Sequence, residues 1–153
     1  MVKVNRKKKK QGLGFTLIEI MLVVVIIGFL MAFAIPNALR SRISAAEVTA
    51  MEGCRAIATG CNAFYSAAAP STYPDTLEEM SGSSPSYLDP VLAAGTKEGY
   101  QFLYARVDPQ RFEIRAEPVS PGVSGSRFFY LDQSGVLRVN SSSSAGPTDP
   151  PAE

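Results

Sequence analysis

A chain of 153 residues fits a single domain, so its function has to come from one small core and its appendages. With no histidine and only two cysteines, Cys54 and Cys61, it lacks the commonest acid/base side chain and the imidazoles needed for a metal site with two or more nitrogen ligands. The formal net charge of +1 conceals an asymmetry: Lys3, Arg6 and Lys7 to Lys10 all precede the first acidic residue, Glu19, and the remainder of the chain is net acidic. An acidic body argues against nucleic acid as the main partner, and the basic run reads as targeting.

Residues 15–35 contain two polar side chains, Thr16 and Glu19. As a helix this segment would extend about 32 Å, enough to cross a hydrocarbon core of about 30 Å. Basic residues before the span outnumber Arg40 and Arg42 after it, which by the positive-inside rule predicts a cytoplasmic leader and an exported body. Two other readings fit part of the pattern. A secretory signal peptide would use Ala32-Phe33-Ala34 as a small-x-small cleavage site and leave Ile35 as the new N-terminus. Against it, the apolar run is long for such a peptide, contains Glu19, and is followed at once by Pro36. A plain single-span anchor would leave Glu19 without a role. An acidic residue costs about 2.5–3.5 kcal/mol at the centre of a membrane helix and less near the interface, so it is expected to have a partner.

The run Gly12-Leu13-Gly14-Phe15-Thr16-Leu17-Ile18-Glu19-Ile20 resembles the processing site of the type IV pilin and type II secretion pseudopilin superfamily. The resemblance implies that a prepilin peptidase removes a basic leader, residues 1–14, by cutting between Gly14 and Phe15, and that Phe15 is then N-methylated. It also implies storage as a single-pass inner-membrane protein, then polymerisation through the first helix by an assembly platform and a cytoplasmic ATPase. The product would be a periplasmic pseudopilus or a cell-surface pilus, and the motif does not choose between them. No cofactor is implied. Cleavage would place a positive amine on Phe15 one helical turn before Glu19, so the amine of an incoming copy could meet the Glu19 carboxylate of a copy already assembled. Many members close a C-terminal loop with a disulfide, but this chain has no cysteine there. Some major pseudopilins bind calcium in that region. Asp149 and Glu153 lack the spacing of a ligand set, so no metal site is expected.

Pro36 ends the apolar span, where a kink or local melt is expected. Helical periodicity resumes through Leu39, Ile43, Ala46, Ala50, Cys54, Ile57, Cys61, Phe64 and Ala68, a stripe that should pack on a sheet. The opposite face carries Arg42, Glu52, Arg55, Thr59 and Asn62 and reads as solvated surface or subunit contact. Cys54 and Cys61 would lie about 10.5 Å apart along the axis, beyond the ~7 Å that a disulfide spans, so they read as small buried side chains.

Beyond the helix, Pro70 to Pro74 breaks the pattern, and Asp75-Thr76-Leu77-Glu78 has capping-box spacing for a short helix ending at Met80. Residues 81–90 read as an irregular loop, with Tyr73 and Tyr87 packing across it. Four runs, 100–107, 112–117, 127–131 and 136–139, have strand character, and Gly135 suits a turn with positive φ. Residues 141–153, rich in Ser, Pro and Gly, should be disordered or loosely draped. The expected fold is α+β and pilin-like, a long N-terminal helix on an antiparallel sheet of about four strands. It divides into leader 1–14, membrane and assembly segment 15–35, exported head 36–140, and tail 141–153. The expected function is a filament subunit and not an enzyme; the alternative is a membrane-anchored extracytoplasmic binding module that does not polymerise.

Overall fold

The computed structural model describes residues 14–152, so the expected leader, apart from Gly14, lies outside the described residues. Helix α1, Leu17–Ala67, contains Pro36, and its helical residues continue on both sides of the proline without a melted turn. Contacts divide the chain into two units, Met1–Ala38 and Leu39–Glu153. In the described part of the first unit the apolar side chains of α1 are exposed, Phe15 by 80% and Leu30 by 60%. Its most apolar 18-residue window has a mean hydropathy of 2.9 and no buried residue, so the helix is long and apolar enough to cross a membrane.

In the second unit, α1 buries Ala50, Cys54, Ile57 and Cys61 on the expected stripe, with Phe64 half-buried, whereas Leu39 at the start is exposed. The buried face is wider than the apolar pattern suggested, because Glu47, Gly53, Ala58 and Gly60 are also enclosed. Gly60 shows why a helix-weakening residue stands in this helix. A Cβ there would lie 2.7 Å from the Tyr87 carbonyl oxygen. That carbonyl cannot easily retreat, since the Tyr87 amide donates to the Met80 carbonyl at 2.9 Å. Gly60→Ala is therefore expected to lose about 1–3 kcal/mol through overpacking despite the better helix propensity of alanine, as a lowered thermal midpoint in detergent would show.

Two short helices follow. The first, α2 (Leu77–Gly82), is capped one residue later than the expected box: Thr76 is the N-cap, its hydroxyl accepting the Glu79 amide at 3.3 Å. The Glu79 carboxylate reaches back to the Asp75 amide at 2.7 Å. The second, α3 (Pro90–Ala93), begins at the last residue of the stretch read as loop, with Asp89 as N-cap and Pro90 in the first turn. Tyr73 and Tyr87 do not stack across the connector: Tyr73 packs on Tyr65 and Phe112, and Tyr87 on Phe64.

The sheet has five strands, β1 (Thr96–Lys97), β2 (Tyr100–Asp108), β3 (Arg111–Pro118), β4 (Phe128–Asp132) and β5 (Arg138–Asn140), ordered β1-β2-β3-β4-β5 with every neighbour antiparallel. Four correspond to the expected runs, with ends shifted by one or two residues. The additional strand, β1, is too short to show a period of two. Alternation sends Tyr100, Phe102, Phe112, Ile114, Ala116, Phe129 and Leu131 into one core with Cys54, Ile57 and Cys61. Gly135 has the positive φ, 75°, that the turn after β4 requires.

Where composition suggested a loose tail, residues 150–152 run beside β5. The Val139 amide donates to the Pro150 carbonyl at 3.0 Å, and the Ala152 amide to the Leu137 carbonyl at 2.8 Å. Arg138 donates to the Asp149 carbonyl at 2.9 Å, Ser144 bonds Glu117 on β3, and Ala145 is buried. Backbone pairing and a few side-chain anchors hold this segment, and neither leaves a hydrophobic pattern in the sequence.

Candidate processing and assembly site

Gly14, Phe15 and Thr16 precede the first helical residue and are exposed, so the peptide bond between Gly14 and Phe15 lies in non-helical, accessible chain. Among the described residues nothing comes within 4 Å of where a Gly14 Cβ would stand. Thr16 starts the helix: its carbonyl accepts the Ile20 amide at 3.3 Å and its hydroxyl accepts the Glu19 amide at 3.2 Å. One oxygen of the Glu19 carboxylate in turn accepts the Thr16 amide at 3.4 Å. Thr16 and Glu19 thus form a reciprocal capping box that relieves two of the unpaired amides at a helix start, and the carboxylate sits where the helix dipole favours negative charge. Glu19 stands out in the sequence by its charge in an oily segment, and Thr16 does not. The Thr-x-x-Glu spacing that signals the box was nevertheless present. The bond that Glu19 accepts is long, and its second oxygen has no partner among the described residues.

The head contains a second carboxylate that the sequence reading did not single out. Glu47, on the inward side of α1, is 6% exposed. Ser126, just before β4, donates to it through its amide at 2.9 Å and its hydroxyl at 2.7 Å, and Arg127 Nε donates at 2.7 Å. Burial raises the pKa of this carboxyl, but the Ser126 and Arg127 donors outweigh burial and hold it below its ordinary value. The neighbouring Tyr100 donates its hydroxyl to the Arg127 carbonyl at 2.8 Å, and burial, then the Glu47 charge, push its pKa up to about 12. A charged residue interrupting an apolar stripe three positions before Ala50 was the available signal, and its partners, nearly eighty residues away in sequence, were not deducible.

Cys54 and Cys61 are free thiols, both buried, and burial raises each to about 12, so they behave as small apolar side chains. Among the described residues no group of three or more cysteines and acids is placed to hold a metal.

Residues 9–35 match the family model for the prokaryotic N-terminal methylation motif, which is the prepilin-type signal of type IV pilins and pseudopilins. No curated protein and no solved structure matches the chain. The motif implies processing by prepilin peptidase, points to a structural subunit, and with the apolar helix supports anchoring in the inner membrane. Signal, apolar helix and α+β arrangement together support a type IV pilin-like or pseudopilin protein.

Proposed function

We propose that this chain is a structural filament subunit of a type IV pilus or a type II secretion pseudopilus, cut between Gly14 and Phe15, N-methylated on Phe15, and polymerised through the apolar part of α1. The observation that carries the reading is a methylation motif placed directly on a helix whose 18-residue apolar window buries none of its side chains within the monomer. Lipid satisfies that surface while the protein is stored, and neighbouring copies satisfy it in a filament. The assembly platform and its ATPase supply the work of extraction, and the exported part becomes a periplasmic or surface filament.

In this reading cleavage creates the Phe15 amine, and the Glu19 carboxylate of an adjacent copy receives it. The capping box with Thr16 holds Glu19 at the helix start until then, through a bond long enough to be exchanged. Pro36 gives α1 a point at which it can bend as the membrane segment packs among its neighbours. The head has no separate chemistry to perform and acts as spacer and contact surface.

The test is the N-terminus of the native protein, read by mass spectrometry of membrane and sheared-filament fractions. A chain beginning at methylated Phe15 and recovered with filaments is the expected result. An intact Met1 in all fractions would leave an anchored binding module, and a chain beginning at Ile35 a secreted domain; either outcome ends the polymer reading.

A further inference from the structure

Charge is unevenly spread over the second unit. Its first turns carry Arg40 and Arg42, both exposed, and these form no ion pair among the described residues. Arg42 and Lys97 line an open groove of about 670 Å³ together with two carboxylates, Glu52 and Glu98, whereas Arg40 lies outside it. At the other end, the stretch from Ala56 to Thr96 contains Asp75, Glu78, Glu79 and Asp89 and no Lys or Arg. Asp75 is paired with Arg106. Glu78 is exposed and unpaired among the described residues, and Glu79 spends one oxygen on the Asp75 amide. Helix α2 is seated on the α1 turn at Cys61, whose thiol contacts Met80 sulfur at 3.8 Å. Nineteen residues separate Arg42 from Cys61, so the basic and acidic ends stand about 28 Å apart along the helix.

We propose that the basic start of one head, Arg40 and Arg42 with Lys97, docks on the acidic α2 end, Glu78 and Glu79, of another copy. The occupant is a second copy of this chain because the complementary charge is built into the same compact unit, away from the basic start. Such a contact uses two different patches, so it does not close on itself as a two-fold dimer would; it repeats, and repetition along one direction gives a filament. Exposed charges of this kind set register and partner orientation more than bulk affinity, the task left open by an apolar helix that can slide on its neighbours. The inference rests on the polymer reading and adds to it the surface through which heads meet.

The full-length protein is tested in cells that assemble it. Arg42→Glu alone and Glu78→Lys alone are each expected to cut the sheared-filament yield about tenfold, since each sets like charges against one another, and the two together on one chain to restore it to within about twofold. Independently of charge reversal, a chain carrying Arg42→Cys and Glu78→Cys should give an oxidative ladder of cross-linked copies, while each single cysteine variant gives dimers at most. The native Cys54 and Cys61, both fully buried, do not enter the ladder. If wild-type filaments form but the single reversals assemble normally and no ladder appears, this docking is wrong and the polymer reading stands. If Arg42→Glu fails and Glu78→Lys does not rescue it, the arginines serve anionic lipid headgroups and the docking is again wrong. If the wild-type chain forms no filament in that host while a control subunit does, both fall together.

Discussion

Glu19→Ala is expected to be cut and methylated normally yet to reduce filament yield by about a hundredfold or more. Removing one partner of a buried ion pair costs about 3–5 kcal/mol, and about 3 kcal/mol is already two decades in an equilibrium. Cleavage should survive because Gly14 and Phe15 lie in exposed, non-helical chain that the substitution does not touch. The informative companion is Glu19→Gln, because glutamine can still accept the Thr16 amide and so preserves the capping box. If charge pairing between copies drives assembly, the glutamine variant fails almost as completely as alanine. If the role of Glu19 is only to cap its own helix, glutamine assembles like wild type, and the intermolecular pair has to be abandoned. Thr16→Ala, which removes the hydroxyl bonded to the Glu19 amide, should cost about 1 kcal/mol of local helix stability and leave assembly largely intact.

The second large effect concerns the head. Arg127→Ala removes one of the donors that keep Glu47 charged and strands a carboxylate that is 6% exposed. A fully buried pair would lose about 3–5 kcal/mol; with the Arg127 side chain 35% exposed and Ser126 still donating, about 2 kcal/mol is expected. The sign of the pH dependence comes from the lowered pKa of Glu47. A carboxyl whose folded pKa lies below its unfolded value binds fewer protons when folded. Its contribution is complete above the unfolded pKa of about 4.5 and is lost as pH falls through the folded one. Thermal unfolding of the detergent-solubilised protein should therefore show a stability loss below about pH 4.5 that Glu47→Gln flattens. A Glu47→Gln protein that keeps the full wild-type acid sensitivity would assign that sensitivity to other carboxylates.

Periodicity carried the fold where a long element touches one partner. The stripe through Ala50, Cys54, Ile57 and Cys61 was visible because every third or fourth residue of α1 meets the same sheet. The β2 and β3 alternation was visible because one face of each strand is covered. Legibility ended where contacts are made by backbone or by single polar atoms. The strand β1 has two residues and no pattern of its own. The small residues Gly53 and Gly60 are buried because neighbours approach closely, a reason that lies in Phe102 and Tyr87 and not in the helix. The cap of α2 fell at Thr76 and not Asp75 because both residues are competent caps and tertiary seating of Leu77 and Met80 decides between them. At the N-terminus the charge of Glu19 was readable from its surroundings, whereas its bond to the Thr16 amide is local geometry marked only by the Thr-x-x-Glu spacing.

The return of residues 150–152 alongside β5 has a consequence for how copies can meet. A bare outer strand is a template on which a stranger's backbone can grow, the usual route to runaway aggregation of concentrated sheet proteins. Here residues 150–152 already pair with the Leu137 carbonyl and the Val139 amide. That flank is thereby closed to edge-to-edge sheet growth.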